Sequence, residues 1–313
     1  MAAYKLRSAA RRTAIQVGSA AAMAGVLAGC AQSANPSASR SASAEVATTK
    51  AAPAAAPQST LRMITNQGHK LAFHITPGNL PAIVLDAGGG EDSSYWKNIV
   101  PVLAKKTGSE IITYDREGMG ASDPVPGPWK VQNAVSDLEA GLTALGATHD
   151  VILVSHSEAG EIATYITGQH PGQFAGAVLV DASVPQFSTD TEIARVAAAT
   201  QAQVAAIQAL KPASVTQADR QLLAVAADYV ADQHAYHEAT WPAAVPATVI
   251  VSSQTPFPTS PPDAQAWRTA QAQFADAAPN RHLLTAADSS HDIPLDHPDL
   301  VEAQIEAMAK DVG

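Results

Sequence analysis

The alternation of short apolar runs with amphipathic stretches is the feature that most restricts how this chain can fold. Runs typical of buried strands occur at 82–85, 110–114, 151–154 and 177–180, and segments of helical periodicity separate most of them. Parallel strands need a long crossover between them, and a helix supplies it. The pattern therefore predicts an α/β fold with a mostly parallel central sheet that is flanked by helices on both faces.

The alternation is interrupted in the second half of the chain. Residues from about 185 to 245 are largely helical in pattern, rich in alanine and glutamine, and contain no strand signal. A further strand at 247–251 resumes the sheet, and a last strand is predicted at 281–285. Because ligands bind at the carboxyl ends of parallel strands, we interpret the helical block as a cap insertion over that edge. A purely structural insertion is the alternative.

Upstream of the alternation, residues 71–75 have the pattern of a strand at an antiparallel edge of the sheet. Residues 30–59 are rich in alanine, serine and proline and have almost no large apolar side chains, so we predict a disordered tether there. The folded domain is predicted to comprise residues 60–313.

The first thirty residues have the pattern of an export signal. Four basic and no acidic residues occur in the first twelve positions, and small and apolar residues fill positions 13–29. The segment ends in Leu27-Ala28-Gly29-Cys30, which resembles the lipobox of bacterial lipoproteins. The resemblance implies a lipoprotein signal peptide at 1–29 and an extracytoplasmic protein that is anchored to the bacterial membrane by a lipid on Cys30. A plain secretory signal with an incidental cysteine is the alternative.

The charge of the chain restricts its partners. The formal net charge is −10, and the acidic residues do not form one run. A polyanion such as a nucleic acid is therefore an unfavourable partner.

Ser157 lies where the strand at 151–154 gives way to a predicted helix at 158–168. A sharp turn between a strand and a helix exposes a serine hydroxyl, and the start of the helix offers free N–H groups near a developing negative charge. The usual form of this turn is Gly-x-Ser-x-Gly, whereas Ser155 and Ala159 take the glycine positions here. Both are small enough for the turn to close, so we predict that Ser157 is a nucleophile rather than a structural turn residue.

Two other segments suit a nucleophilic serine. Gly88-Gly89-Gly90 follows the strand at 82–85, and glycines allow backbone amides to approach a bound oxygen closely. We predict an oxyanion hole formed by the N–H groups of Gly89 and Glu158, with a plain glycine-rich turn as the alternative. His291 lies in the loop between the last strand and the last helix, and we predict that it is the general base.

Together these motifs resemble the α/β-hydrolase superfamily, in its branch with a helical cap. They are the glycine-rich loop at 86–90, the Tyr-Asp-Arg-Glu-Gly-Met-Gly-Ala-Ser-Asp segment at 114–123, the turn at 155–160 and the segment at 291–298. The similarity extends from about residue 61 to the C terminus. It implies the α/β-hydrolase fold, a catalytic triad in the chain order serine, acid, histidine, and no metal or organic cofactor.

The acid of such a triad has two candidate positions. The loop after the strand at 247–251 is the commonest position in the superfamily, but it contains no carboxylate, and Asp263 is the first acid beyond it. Asp181 follows the strand at 177–180, which is the other position that the superfamily uses. We predict Asp181 as the acid, with Asp263 as the alternative.

The function that these residues predict is that of a serine hydrolase which cleaves a small-molecule carboxylic ester, or an amide, through an acyl-enzyme. A perhydrolase or a carbon–carbon bond hydrolase would use the same triad. A non-catalytic ligand-binding protein with this fold is the alternative from another class, and the departures at Ser155 and Ala159 would suit it.

Overall fold

The computed structural model describes residues 58–124 and 126–312. The predicted signal peptide, Cys30 and nearly all of the predicted tether lie outside these residues. Within the described part of the chain, no helix combines the length and the apolar character needed to cross a bilayer.

A single eight-stranded sheet forms the centre of the described residues. Its order is β1-β2-β4-β3-β5-β6-β7-β8, in which β1 and β2 are antiparallel to their neighbours and the other strands are parallel. The predicted mostly parallel sheet is therefore confirmed. The strands are β1 (Thr60–Asn66), β2 (His69–Thr76), β3 (Asn79–Asp86), β4 (Ser109–Asp115), β5 (Val151–His156), β6 (Phe174–Val180), β7 (Ala247–Ser252) and β8 (Arg281–Ala286).

Helices cover both faces of the sheet, so its central strands bury apolar side chains on both sides. In β5, Val151 and Leu153 pack into one core layer, whereas Ile152 and Val154 pack into the other. Each fully buried aliphatic side chain of this size contributes about 1.5–3 kcal/mol. This two-sided burial explains why the central strands are continuous apolar runs. The flanking helices are α1 (Val100–Thr107), α2 (Val131–Leu145), α3 (Ala159–Gln169), α6 (Pro261–Asp276), the short α7 (Ile293–Asp296) and α8 (Pro298–Val312).

The antiparallel edge of the sheet differs from the prediction by one strand. Residues 71–75 belong to β2, which is the second strand, and the edge strand is β1. The two strands are joined by Gln67 and Gly68, whose φ angles of 47° and 90° give a tight hairpin turn. Ile64 is the one buried residue of β1, whereas Leu61 and Met63 on its other face are exposed, so the strand has no regular buried apolar face.

Two long helices, α4 (Asp190–Gln208) and α5 (Gln217–His237), lie between β6 and β7 and pack against each other. They fall within the segment that was predicted to form a cap. The Thr189 hydroxyl caps α4 and a Thr216–Asp219 capping box begins α5. The amide of Trp129 donates to the carbonyl of Ala224 at 3.1 Å, which ties α5 to the segment that precedes α2.

Candidate active site

Ser157 occupies a sharp turn between the end of β5 and the start of α3. Its φ of 54° lies in the left-handed region, which is strained for a residue with a side chain. The Ser157 carbonyl accepts hydrogen bonds from the amides of Gly160, at 3.0 Å, and Ser183, at 2.8 Å. A Cβ atom at position 160 would lie 2.2 Å from the Ser183 carbonyl oxygen, so glycine is required there. Ser155 and Ala159 are both fully buried, and the turn closes without the usual glycines at those positions.

His291 connects Ser157 to Asp181. Its Nε2 lies 2.8 Å from the Ser157 Oγ, and its Nδ1 lies 2.7 Å from the Asp181 Oδ2. Ser157 follows β5, Asp181 follows β6, and His291 lies between β8 and α7. All three residues therefore come from the carboxyl ends of strands, where a parallel sheet brings its loops together.

Asp181 is fully buried but well supplied with hydrogen-bond donors. Besides His291, the Trp267 Nε1 donates to Oδ1 at 2.8 Å and the Ser252 Oγ donates to Oδ2 at 2.6 Å. Burial raises the pKa of Asp181, but the hydrogen bond and charge of His291 and the other two donors outweigh burial and hold that pKa below its ordinary value. An ionised Asp181 fixes a proton on Nδ1 of His291 and leaves Nε2 free to accept one.

Asp263, the alternative acid, lies at the start of α6 and makes other contacts. The Ser260 hydroxyl donates to it, and the Arg195 Nη1 donates to its Oδ1 at 3.3 Å. Among the described residues it has no hydrogen bond with His291. The structure therefore brings Asp181, and not Asp263, to the histidine.

The backbone N–H groups of Gly88, Gly89 and Gly90 differ in whether they already donate a hydrogen bond. The amide of Gly88 donates to the Glu91 Oε2 at 3.1 Å, and that of Gly90 donates to the Gln221 Oε1 of α5. The amides of Gly89 and Glu158 have no hydrogen-bond partner among the described residues. Both residues line a cavity of about 220 Å³ together with Ser157 and His291. The two N–H groups that were predicted to bind an oxyanion are thus the free ones.

A buried charge cluster beneath the glycine-rich loop was not predicted. Arg116 donates to the Gly88 carbonyl and lies 3.6 Å from Asp86 and 3.4 Å from Glu158. Burial raises the pKa of Asp86 to about 6, although Arg116 and the hydroxyl of Tyr114 lower it. Burial likewise raises the pKa of Glu158, against the opposing effects of Arg116 and Gln221. Arg116 belongs to the Tyr-Asp-Arg motif, and its role here is to hold the loop by its backbone.

His156 contacts His291, the candidate base, and this contact was not predicted either. Its Nε2 lies 3.1 Å from the carbonyl oxygen of His291, and the two rings are 4.7 Å apart. The ring of Tyr95 also stacks on that of His156, with the ring centroids 4.8 Å apart. The position of His156 immediately before Ser157 was the only signal in the sequence.

A second, larger cavity of about 470 Å³ opens from Ser157 between α4 and α5. Ser157, Glu158, Leu222, Val225 and Pro256 line both cavities, so the two meet at the serine. A substrate with two arms can therefore place its central bond at the Ser157 hydroxyl.

One group of side chains among the described residues has the geometry to hold a metal ion. It consists of His69, Glu117 and Asp137. None of the three lines either cavity at Ser157, so this group is separate from the candidate site.

Residues 83–304 match the sequence model of the Alpha/beta hydrolase family. Three solved structures share the fold: a thermophilic esterase from Thermogutta terrifontis, an esterase from Exiguobacterium antarcticum and a haloalkane dehalogenase loop variant from Bradyrhizobium elkanii. The first has 20% identity and a TM-score of 0.54 over 81% of this chain and 99% of its own. The second has 16% identity and a TM-score of 0.59 over 79% and 98%, and the third 17% and 0.58 over 82% and 97%. No curated protein sequence matches the chain significantly.

Proposed function

The chain belongs to the alpha/beta hydrolase family, and we propose that it is a hydrolase that cleaves a carboxylic ester with Ser157 as the nucleophile. The observation that carries the proposal is the continuous hydrogen-bonded series from Ser157 through His291 to Asp181, with separations of 2.8 Å and 2.7 Å. This arrangement suits proton transfer from the hydroxyl to the imidazole. A serine nucleophile does not suit dehalogenation, although a dehalogenase shares the fold.

The reaction proceeds in two halves. Nε2 of His291 takes the proton of the Ser157 hydroxyl as Oγ attacks the ester carbon, and the carbonyl oxygen becomes an oxyanion that accepts from the amides of Gly89 and Glu158. The bond to the leaving alcohol breaks, and His291 donates the proton to that oxygen. Water then attacks the acyl-enzyme with His291 as base, which releases the carboxylic acid and restores Ser157. Asp181 stabilises the imidazolium in both halves.

The contacts of Arg116 support the assignment of the Gly89 and Glu158 amides to the oxyanion. Arg116 donates to the Gly88 carbonyl and pairs with the Glu158 side chain, which holds the glycine-rich loop beside the start of α3. Since Gly88 and Gly90 are held by Glu91 and Gln221, the amide of Gly89 keeps one orientation without a partner of its own. A preorganised donor of this kind needs no rearrangement as the charge develops. The same feature disfavours the non-catalytic alternative, which has no need of two free amides beside the serine.

The test is hydrolysis of p-nitrophenyl esters of increasing acyl length. We expect turnover by the wild-type protein and a loss of roughly 10³-fold or more in kcat for Ser157→Ala and for His291→Ala. Ser94→Ala, which changes an exposed serine, is the matched control and should keep the wild-type rate. Full activity of Ser157→Ala, or no ester cleavage by the wild type, would contradict the proposal.

We also propose that the protein is exported and anchored to the bacterial membrane by a lipid on Cys30. The support is the basic and then apolar segment that ends in Leu27-Ala28-Gly29-Cys30. In the native host, Cys30→Ser should move the full chain from the membrane fraction to the soluble fraction. Unchanged partitioning would reject the anchor.

A further inference from the structure

The larger cavity is lined by apolar side chains and by uncharged polar side chains, with only two charged residues among those described. One wall is α4, the other is α5, and its inner end is formed by Ser157 and the first turn of α3. Phe187, Phe257 and Trp267 stand at this end and contact one another, with ring centroids 4.9–5.9 Å apart. Tyr229 of α5 adds a fourth aromatic ring to the lining.

The charged residues that line this cavity are all acidic. They are Glu158 and Glu161, and no lysine, arginine or histidine is among the described residues that line it. Glu158 is paired with Arg116, as described above. Glu161 is different, because its side chain forms no ion pair with any of the described residues.

The side chain of Glu161 is held by a hydrogen bond to only one of its two carboxyl oxygens. Its residue exposure is only 6%, and the Gln233 Nε2 donates to its Oε1 at 2.7 Å. The Ser188 hydroxyl donates to the Gln233 Oε1 at 2.6 Å, which fixes the amide so that its nitrogen faces the carboxyl group. The Glu161 Oε2 has no hydrogen-bond partner among the described residues. This oxygen is not among the fully buried atoms that lack a partner, so it remains accessible to a ligand in the cavity that Glu161 lines.

Carboxylates and aromatic faces in an apolar cavity are together the chemistry that recognises an organic cation. A carboxylate supplies the countercharge, and an aromatic face attracts a cation more strongly where water is excluded. We propose that the larger cavity binds the cationic amine of a substrate arm, with Glu161 as the countercharge and the aromatic rings around it. The inference deepens the proposed function, since it names the chemical class of one arm of the substrate that Ser157 attacks.

The ionisation of Glu161 gives the proposal a pH dependence. Burial, and secondly the charge of Glu158, raise the pKa of Glu161 to about 8 against the opposing effect of the hydrogen bond from Gln233. Glu161 is therefore largely a neutral acid at pH 7 and largely a carboxylate at pH 9. The titratable and charged groups that face Glu161 from the surrounding elements are Arg116, Glu158, Tyr165, Tyr229, Asp232 and Tyr236.

Calorimetric binding of three probes with the same six-carbon chain tests the proposal: hexyltrimethylammonium, 1-hexanol and hexanesulfonate. None is an ester, so binding does not depend on turnover and the test remains informative even if the protein cleaves no ester. At pH 9 we expect the wild-type protein to bind the cation at least about fivefold more tightly than the alcohol and not to bind the anion. This preference should decline as the pH falls to 6.

Glu161→Gln keeps an acceptor for Gln233 and should bind the cation and the alcohol equally at both pH values. Asp228→Asn, which removes a carboxylate of α5 that pairs with Lys130 and does not line the cavity, is the matched control and should keep the preference. The wild-type pH titration stands on its own if the Glu161→Gln variant is unstable. Equal affinity for the cation and the alcohol at pH 9, no binding of the cation, or a preference that survives in Glu161→Gln would each overturn the proposal.

Discussion

At the scale of single residues, Asp181 shows how a buried carboxylate is kept ionised beside a histidine. It has no exposure to solvent and accepts hydrogen bonds from His291, Ser252 and Trp267. Its φ of 43° is a further sign that the position is constrained by its contacts. The pKa of Asp181 stays below its ordinary value because these hydrogen bonds outweigh the effect of burial.

Asp181→Asn should lower kcat on p-nitrophenyl esters by about 10³–10⁴-fold, because the neutral amide neither selects the tautomer of His291 nor stabilises the imidazolium. Circular dichroism should show an unchanged fold. Asp263→Asn is the control, since Asp263 contacts Ser260 and Arg195 instead, and it should retain the wild-type kcat. If Asp263→Asn alone lost activity, the assignment of the acid would be wrong.

The residues of the site divide according to what identifies them in the sequence. Ser157, Asp181 and His291 follow predicted strands, so the carboxyl edge of a parallel sheet was enough to predict that they meet. Gln221, Gln233 and Glu161 are ordinary helical residues in the sequence. Their roles depend on how α5 packs over α3 and over the glycine-rich loop, and no local pattern predicts that packing.

At the scale of elements, the turn between β5 and α3 depends on the close approach of Gly160 to Ser183. The left-handed φ of Ser157 and the two hydrogen bonds to its carbonyl hold this serine against the first turn of α3. The unusual Ser155 and Ala159 are tolerated because each is small, whereas Gly160 has no room for a side chain. In this turn glycine is thus required at position 160, and not at position 159 where the usual motif has it.

Gly160→Ala should therefore lower the free energy of unfolding by roughly 1–3 kcal/mol, because its Cβ would overlap the Ser183 carbonyl. It should also reduce kcat, since the turn that carries Ser157 must shift. Gly172→Ala is the matched control, because nothing lies within 4 Å of its Cβ position. Urea unfolding of both variants measures the difference, and equal stability of the two would contradict this account of the turn.

The strands of the sheet could be predicted because most are buried on both faces and are therefore continuous apolar runs. Strand β1 could not, since its side chains are mostly exposed and its pairing with β2 depends on the hairpin turn at Gln67 and Gly68. The presence of helices between β6 and β7 was predictable from composition. The cavity between α4 and α5 was not, because both helices are only weakly amphipathic in sequence.

At the scale of the whole molecule, the buried acids make stability depend on pH. The pKa of Glu161 is about 8 in the folded protein because of burial, whereas 4.5 is the ordinary value of a glutamate. Between these values the folded state binds more protons than the unfolded state, so stability decreases as the pH rises from 4.5 to 8.

Glu161→Gln should remove this loss, because glutamine does not ionise and still accepts from Gln233. The free energy of unfolding of the variant, relative to that of the wild type, should increase by about 2–4 kcal/mol between pH 5 and pH 8. Urea unfolding of both proteins at the two pH values measures this difference. A constant difference between them would show that Glu161 is already ionised in the folded protein at pH 5.

The central claim is that Ser157 is a nucleophile activated by His291, and a fluorophosphonate tests it most directly. Its phosphorus is attacked by an activated serine Oγ and fluoride leaves, so a stable adduct forms whatever the natural substrate is. Intact-protein mass spectrometry should show one adduct per wild-type chain, located by peptide mapping at Ser157, and none on Ser157→Ala. Equal labelling of Ser157→Ala, or an unlabelled wild-type protein, would contradict the claim.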